Sequence, residues 1–344
     1  MFIRRSALIL AALALVGCPE KKTSTTSGSA EAATSAPETT EPASPTAKEG
    51  MTLKFDWSTV GSADVTAKRE RTTLRTDVEG PRVRKSEASW TWNVAADGGA
   101  SAVNVADYAR VITEQGSAPE QMVDFSPAMD VLAEAAPSMR IGADGSVLAI
   151  TDGERIRTDL DAAMDGIEGL EDGARARLGA LASDDGLFGL SQNLWNVIGQ
   201  WDGVELVQGE TVRAELPTPI PQLGGAVLTM VLETTWTKRA PCGEHTRDLA
   251  CIQVDMKSFI DPEELGALLE QLMGNLADGQ GSPQRPKVLD IGLDTNVTLV
   301  TTPGTLVPRR AGMKRIITLE VDEGEGPKKA VQTEDWSWTF AWTR

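Results

Sequence analysis

Large apolar and small or polar residues alternate over the last ten positions of the sequence, D-W-S-W-T-F-A-W-T-R. Trp336, Trp338, Phe340 and Trp342 fall on every second site, with Ser337, Thr339, Ala341 and Thr343 between them. A strand with that pattern puts four rings on one face and small polar groups on the other. The same period runs through Leu289, Ile291, Leu293, Val297 and Leu299, and again through Met313, Ile317, Leu319 and Val321. The segments joining these three runs are rich in Gly, Pro and Thr and too short for a crossover helix, so the pattern predicts a closing antiparallel meander. Upstream, Val227–Trp236 and Ile252–Ile260 predict a hairpin, and Met139–Ile150 a shorter one turning at glycine. Leu53–Trp57, Val65–Thr76, Val83–Val94 and Ala102–Ile112 predict earlier strands.

Helical spacing takes over between these blocks. Asp261-Pro262-Glu263-Glu264 predicts a helix start, with Asp261 as cap, Pro262 at the first position and Glu264 closing a capping box. Leu265, Leu268, Leu269, Leu272, Met273 and Leu276 then form one apolar stripe. Residues 154–200 predict two or three helices broken by glycine, and Ser126-Pro127 a shorter one. Strands, helices, strands, one helix and strands again exclude βαβ repetition. The expected class is α+β: a curved antiparallel sheet, in the manner of a half-barrel, with helices on its inner face. The order also suggests two similar halves, 51–200 and 201–344, although no residue-level repeat supports a duplication.

Before this body stand two segments of different character. Arg4 and Arg5 precede an apolar run from Ala7 to Val16, which ends Leu15-Val16-Gly17-Cys18. A basic start, a short apolar stretch and small residues before the break describe an export signal, residues 1–17. The Leu-Val-Gly-Cys end resembles the lipobox of bacterial lipoproteins. That resemblance implies an acylated Cys18 at the mature N-terminus, a membrane as partner through the anchor, and, with Pro19 rather than Asp next, a bias to the outer membrane. Residues 19–50 contain no Leu, Ile, Val or aromatic residue, so 18–50 reads as the lipidated cysteine and a disordered tether.

Charge and chemistry narrow the classes further. A net charge of −17 argues against nucleic acid and against anionic lipid faces as partners. Cys242 and Cys251, close together in an exported chain, are expected to form a disulfide; a zinc site completed by His245, the one histidine, is the alternative. The sequence holds no G-x-S-x-G, no H-E-x-x-H and no phosphate-binding glycine loop, and its histidine lies within the Cys pair. No catalytic residue, metal or cofactor is therefore expected. Nine tryptophans against one tyrosine pose the remaining question. Trp90, Trp92, Trp236, Trp336, Trp338, Phe340 and Trp342, with Leu268 and Leu272 of the helix stripe, are core, or the lining of a trough for an apolar or lipid ligand, or stacking platforms for wall sugars. The trough reading resembles envelope lipoprotein carriers in architecture alone; an envelope protein partner is the other binding role.

Overall fold

The computed structural model describes residues 49–116, 124–184, 186–188, 195, 197–198, 201–220, 226–243, 249–278, 287–322 and 326–343. The export signal, Cys18, the tether up to residue 48, His245, Leu190 and Leu194 lie outside the described residues. Strands dominate. They are β1 (Gly50–Thr52), β2 (Ser62–Arg75), β3 (Arg82–Asp97), β4 (Ala100–Gln115), β5 (Ser138–Ile141), β6 (Val147–Asp152), β7 (Glu205–Val207), β8 (Thr211–Ile220), β9 (Ala226–Ala240), β10 (Cys251–Ile260), β11 (Lys287–Thr301), β12 (Pro308–Asp322) and β13 (Pro327–Thr343). The described helices are α1 (Ser126–Ala133), α2 (Glu154–Asp165), α3 (Asp172–Leu181) and α4 (Pro262–Asp278). None of them is long and apolar enough to cross a membrane.

Eleven strands form one sheet in the order β6-β5-β4-β3-β2-β13-β12-β11-β10-β9-β8, every neighbouring pair antiparallel. The first and last strands do not meet, so the sheet is open. It consists of two meanders joined where β2 lies beside β13, with Ala67 opposite Trp338 and Val65 opposite Phe340. One edge, β8, carries Pro217 and Pro219, which cannot donate to a further strand. β1 and β7 pair separately.

Register fixes which side chains share a face. Ala63, Val65 and Ala67 of β2, Trp90 and Trp92 of β3, Trp338 and Phe340 of β13, Ile317 and Leu319 of β12 and Leu293 and Val297 of β11 are all buried in one cluster. The polar alternates of β13, Ser337, Thr339, Ala341 and Thr343, are exposed on the other face, as the period predicts. Register shifts break the simple alternation in several strands, β4 and β11 among them. In β4 the register shifts opposite Trp90, where Asp107 takes a left-handed φ of 54°. Val103 and Val105 before the shift therefore share a face with Tyr108 and Arg110 after it. In β11 a shift between Val288 and Asp290 leaves Leu289 43% exposed, although it is in phase with Ile291.

Two local expectations need correcting. Leu53–Trp57 is not a strand: it is an irregular segment held by Leu53 N donating to Val204 O (2.9 Å) and Asp56 N to Thr305 O (3.2 Å). Asp261 caps α4 as expected, its Oδ1 accepting from Glu263 N at 2.8 Å. Glu264, however, does not reach back to the cap; its carboxylate accepts Thr229 N of β9 at 3.1 Å. The helix is thereby pinned to the sheet. Its Leu265 and Leu269 are buried in the sheet's cluster, and Leu268 is half-buried beside them. The side chains of Leu272, Met273 and Leu276 lie outside the described residues.

Cys242 and Cys251 are joined in a disulfide between β9 and β10. The zinc alternative is thereby excluded, since both thiols are used. Closing so short a loop stabilises a fold by about 2–3 kcal/mol in the chain-entropy account. Cys242→Ser with Cys251→Ser is expected to lower the free energy of unfolding by that amount, and thiol counting on the unreduced, unfolded chain should find neither cysteine free.

Candidate functional site

The sheet face that carries the tryptophans has two zones. The first is aromatic. Trp92 is 1% exposed, with ring centroids of Phe340 at 5.3 Å, Trp57 at 6.0 Å, Trp195 at 6.3 Å, Trp90 at 6.4 Å and Trp342 at 6.5 Å. The 53–57 segment lies on these rings: Trp57 stacks with Phe55 at 5.3 Å and meets Trp195 and Trp342 edge-on at 5.2 and 5.3 Å. Polar handles are bonded, Trp57 Nε1 to Leu306 O (3.4 Å) and Trp342 Nε1 to Pro308 O (2.7 Å). Phe55 N donates to Asp202 Oδ1 at 2.6 Å, tying this cover to the turn before β7.

The structure thus gathers Trp90, Trp92, Phe340 and Trp342, with Trp336 and Trp338 stacked on each other at 5.3 Å nearby. It does not bring Trp236 to them: that ring, fully buried, sits on β9 at the far side of the sheet, beside Val254 of β10. Seven of the nine tryptophans are buried, and Trp336 and Trp342 are half-buried. Stacking platforms for wall sugars would need rings open to solvent, and among the nine only Trp336 and Trp342 are even partly so.

The second zone was not expected from the sequence. Across neighbouring strands, Arg315 of β12, Glu334 of β13, Arg71 of β2, Arg84 of β3 and Glu114 of β4 lie side by side in register. Arg69, 5% exposed, sits one step toward the aromatic zone and bonds three carboxylates: Asp130 Oδ1 at 2.9 Å, Glu134 Oε1 at 3.2 Å and Glu334 Oε1 at 2.6 Å. Asp130, from α1, also takes Arg71 at 3.3 Å and the Nε of Arg84. Glu134, just past the end of α1, accepts Ser86 Oγ at 2.7 Å and faces Arg110 at 3.7 Å. Glu334 accepts Gln332 Nε2 at 3.1 Å. The sequence did carry a signal for this zone: Arg69 and Arg71 are in phase with Ala63, Val65 and Ala67, and Glu334 with Trp336 and Trp338. Charges that keep step with an apolar stripe must be buried together or spoil the face.

Burial and partners shift these groups in opposite senses. Desolvation pushes the Glu334 carboxyl up, but Arg69 and Arg315 outweigh it and hold it below its ordinary 4.5. Desolvation wins at Glu134, which is raised despite Arg69. At Asp124, beside α1, burial raises the carboxyl, while the hydrogen bond from Arg82 and that from Ser126 N bring it down to about 2. For the lowered pair the folded form binds protons less readily than the unfolded chain, so their stabilisation is present above their ordinary values, 4.5 and 3.8. It is lost as pH falls through that range toward 2. Glu134 has the opposite sign and offsets part of the loss. Melting temperatures measured stepwise from pH 5 to 2 should fall; a rise across that window would contradict the paired geometry.

Among the described residues no group of three His, Cys, Asp or Glu side chains is placed to hold a metal ion. A concavity of about 780 Å³, open to solvent, is lined by Lys68, Arg69, Glu70, Lys85, Ser86, Glu87, Val111, Thr113, Asp335, Trp336 and Ser337. Exposed pairs line it, such as Lys68 with Glu87 at 3.4 Å.

No family model matches the chain, and no curated protein does. Among solved structures it is similar to lipovitellin, in a structure described by its lipid–protein interactions, at a TM-score of 0.40 and 6% identity over 81% of this chain and 25% of that one. It is similar also to OpdO of Pseudomonas aeruginosa, at a TM-score of 0.18 and 8% identity over 83% of this chain and 98% of that one. The chain spans a quarter of the lipovitellin chain, and likenesses this low fix neither family nor function.

Proposed function

We propose that the chain is a lipid-anchored lipoprotein of the bacterial envelope, held at the outer membrane by acylated Cys18. Its body has a non-catalytic binding role toward an apolar or lipid ligand. The observation that carries the binding role is the open sheet with aromatic rings gathered on one face, against which the 53–57 segment lies. In this reading the sheet is curved, the helices and the 53–57 segment fill its concavity, and a ligand's chains take the place of part of that cover. Trp90, Trp92, Trp336, Trp338, Phe340, Trp342 and Leu268 are then the surface it meets, with Trp236 at the α4 side. Burying such rings against acyl chains is as favourable as burying them against protein, at roughly 25 cal/mol per Å² of apolar area.

The test is native mass spectrometry with lipid extraction on the body purified without its anchor. A co-purifying lipid in near-stoichiometric amount is expected. An empty body that takes up no added phospholipid would leave the rings as core alone and end the binding proposal. For the anchor, Cys18→Ser should move the protein from the membrane pellet to the supernatant; continued sedimentation would refute lipidation.

A further inference from the structure

Helices α1, α2 and α3 keep an apolar core apart from that of the sheet, whereas α4 shares the sheet's core through Leu265 and Leu269. Met129 and Leu132 of α1 pack with Ile156, Leu160 and Met164 of α2 and Leu178 of α3, in a cluster distinct from that of the sheet. Only Ile150, beside both, bridges them among the described residues. Where α1 meets the sheet, its side chains are charged: Asp130 and Glu134, one turn apart and so on one side of the helix, enter the arginines of β2, β3 and β4. A helix held by charge rather than by apolar surface is replaceable by any group that satisfies the same arginines, since the large cost arises only when they are left bare.

The sheet beneath continues directly from those arginines into apolar surface. The Arg69 guanidinium lies 4.7 Å over the Trp336 ring, and Trp336 stacks on Trp338. Ala67 and Ala88 follow, small and buried, opposite each other in register. The indole N–H groups of Trp336 and Trp90, like Arg69 Nε, are buried without a hydrogen-bond partner among the described residues. Cations, then unfilled donors, then rings form a series that matches the parts of an anionic amphiphile, from headgroup through its polar linkage to its chain.

The geometry points to a binding site for an anionic amphiphile, phosphate- or carboxylate-headed, on the sheet face under α1, with Asp130 and Glu134 as built-in stand-ins for its headgroup. This rests on the lipid reading above and names the class of lipid. The ligand competes with α1, and α1 with its helical cluster lifts as the headgroup takes over the arginines.

Hydrogen–deuterium exchange of residues 126–134 tests this in the full-length protein, anchored in vesicles of phosphatidylcholine alone or with one-third phosphatidylglycerol. Phosphatidylglycerol is expected to raise exchange there at least tenfold over phosphatidylcholine. Arg71→Gln should remove most of that response, because Arg71 has Asp130 as its ion partner and is the arginine of the cluster whose loss leaves Arg69 and Arg84 to hold α1. Equal exchange with both lipids, while lipid is still retained, would overturn the anionic class and leave the lipid reading standing. Retained phosphatidylglycerol with 126–134 unchanged would overturn the site. Opening by glycerol 3-phosphate alone in phosphatidylcholine vesicles would support the arginine chemistry with a soluble anion as ligand, against the lipid reading. No retained lipid and no opening would sink both.

Discussion

Replacing Arg69 by methionine is expected to lower the free energy of unfolding by about 3–5 kcal/mol, the cost of breaking a buried ion pair by removing one partner. Methionine fills much of the same space, so the loss measures charge more than packing. Arg69 bonds Asp130, Glu134 and Glu334 together, and among the described residues it alone does so. Without it Asp130 keeps Arg71 and Arg84, Glu134 keeps Ser86, and Glu334 keeps Gln332, so the result should fall toward the lower end of that range. The exposed pair of Lys68 and Glu87, on the next residue and the opposite face, supplies the control. Lys68→Met should cost at most about 1 kcal/mol and lose even that in high salt, because exposed charges are screened. The Arg69 effect should survive high salt. Urea midpoints for both variants at low and high salt decide the matter. If Arg69→Met costs no more than Lys68→Met, the arginine zone is wet and the seat of α1 is not ionic.

Much of the sheet was legible because its strands obey a single period. β13 reads directly as rings on one side and hydroxyls on the other, and β11 and β12 follow it with short turns between. What the period does not carry is anything set by a partner strand. The β4 bulge at Asp107 changes the phase by one residue, and nothing local in Val105-Ala106-Asp107-Tyr108 demands it. The same holds for Leu289, exposed by a shift that only the pairing with β12 defines. Leu53–Trp57 has the apolar alternation of a strand, yet its backbone groups are taken by Val204 and Thr305 in loops, so it covers the sheet without joining it. Among the described residues, the arginines of the charged zone have no ion partners near them in the sequence. Their meeting depends on β2 lying beside β13, a contact between residues more than 250 positions apart, and on α1 arriving from elsewhere with Asp130. Topology, not pattern, makes that zone.

Trp92→Ala should cost about 3–5 kcal/mol, the largest effect of any single core truncation here, because a buried ring is lost and the space it leaves collapses poorly. Five other rings surround Trp92 within 6.5 Å, from β3, β13, the 53–57 cover and Trp195. Planar groups packed from several elements do not slide together to fill a hole, so the cavity term stays. Trp342→Ala is the graded comparison: the ring is half-buried at the border of the zone and should cost clearly less. With seven of nine indoles buried, the wild type should emit at short wavelength and resist acrylamide, and Trp92→Ala should shift emission to the red and raise quenching. The outcome bears on function as well as stability. If the aromatic zone is a closed core, Trp92→Ala weakens the fold and leaves lipid uptake unchanged. If acyl chains replace the 53–57 cover, the same variant must also lose retained lipid, because the surface against which the chains lie has been cut away. Unchanged stability with unchanged lipid content would contradict both, and with them the placement of Trp92 at the centre of this face.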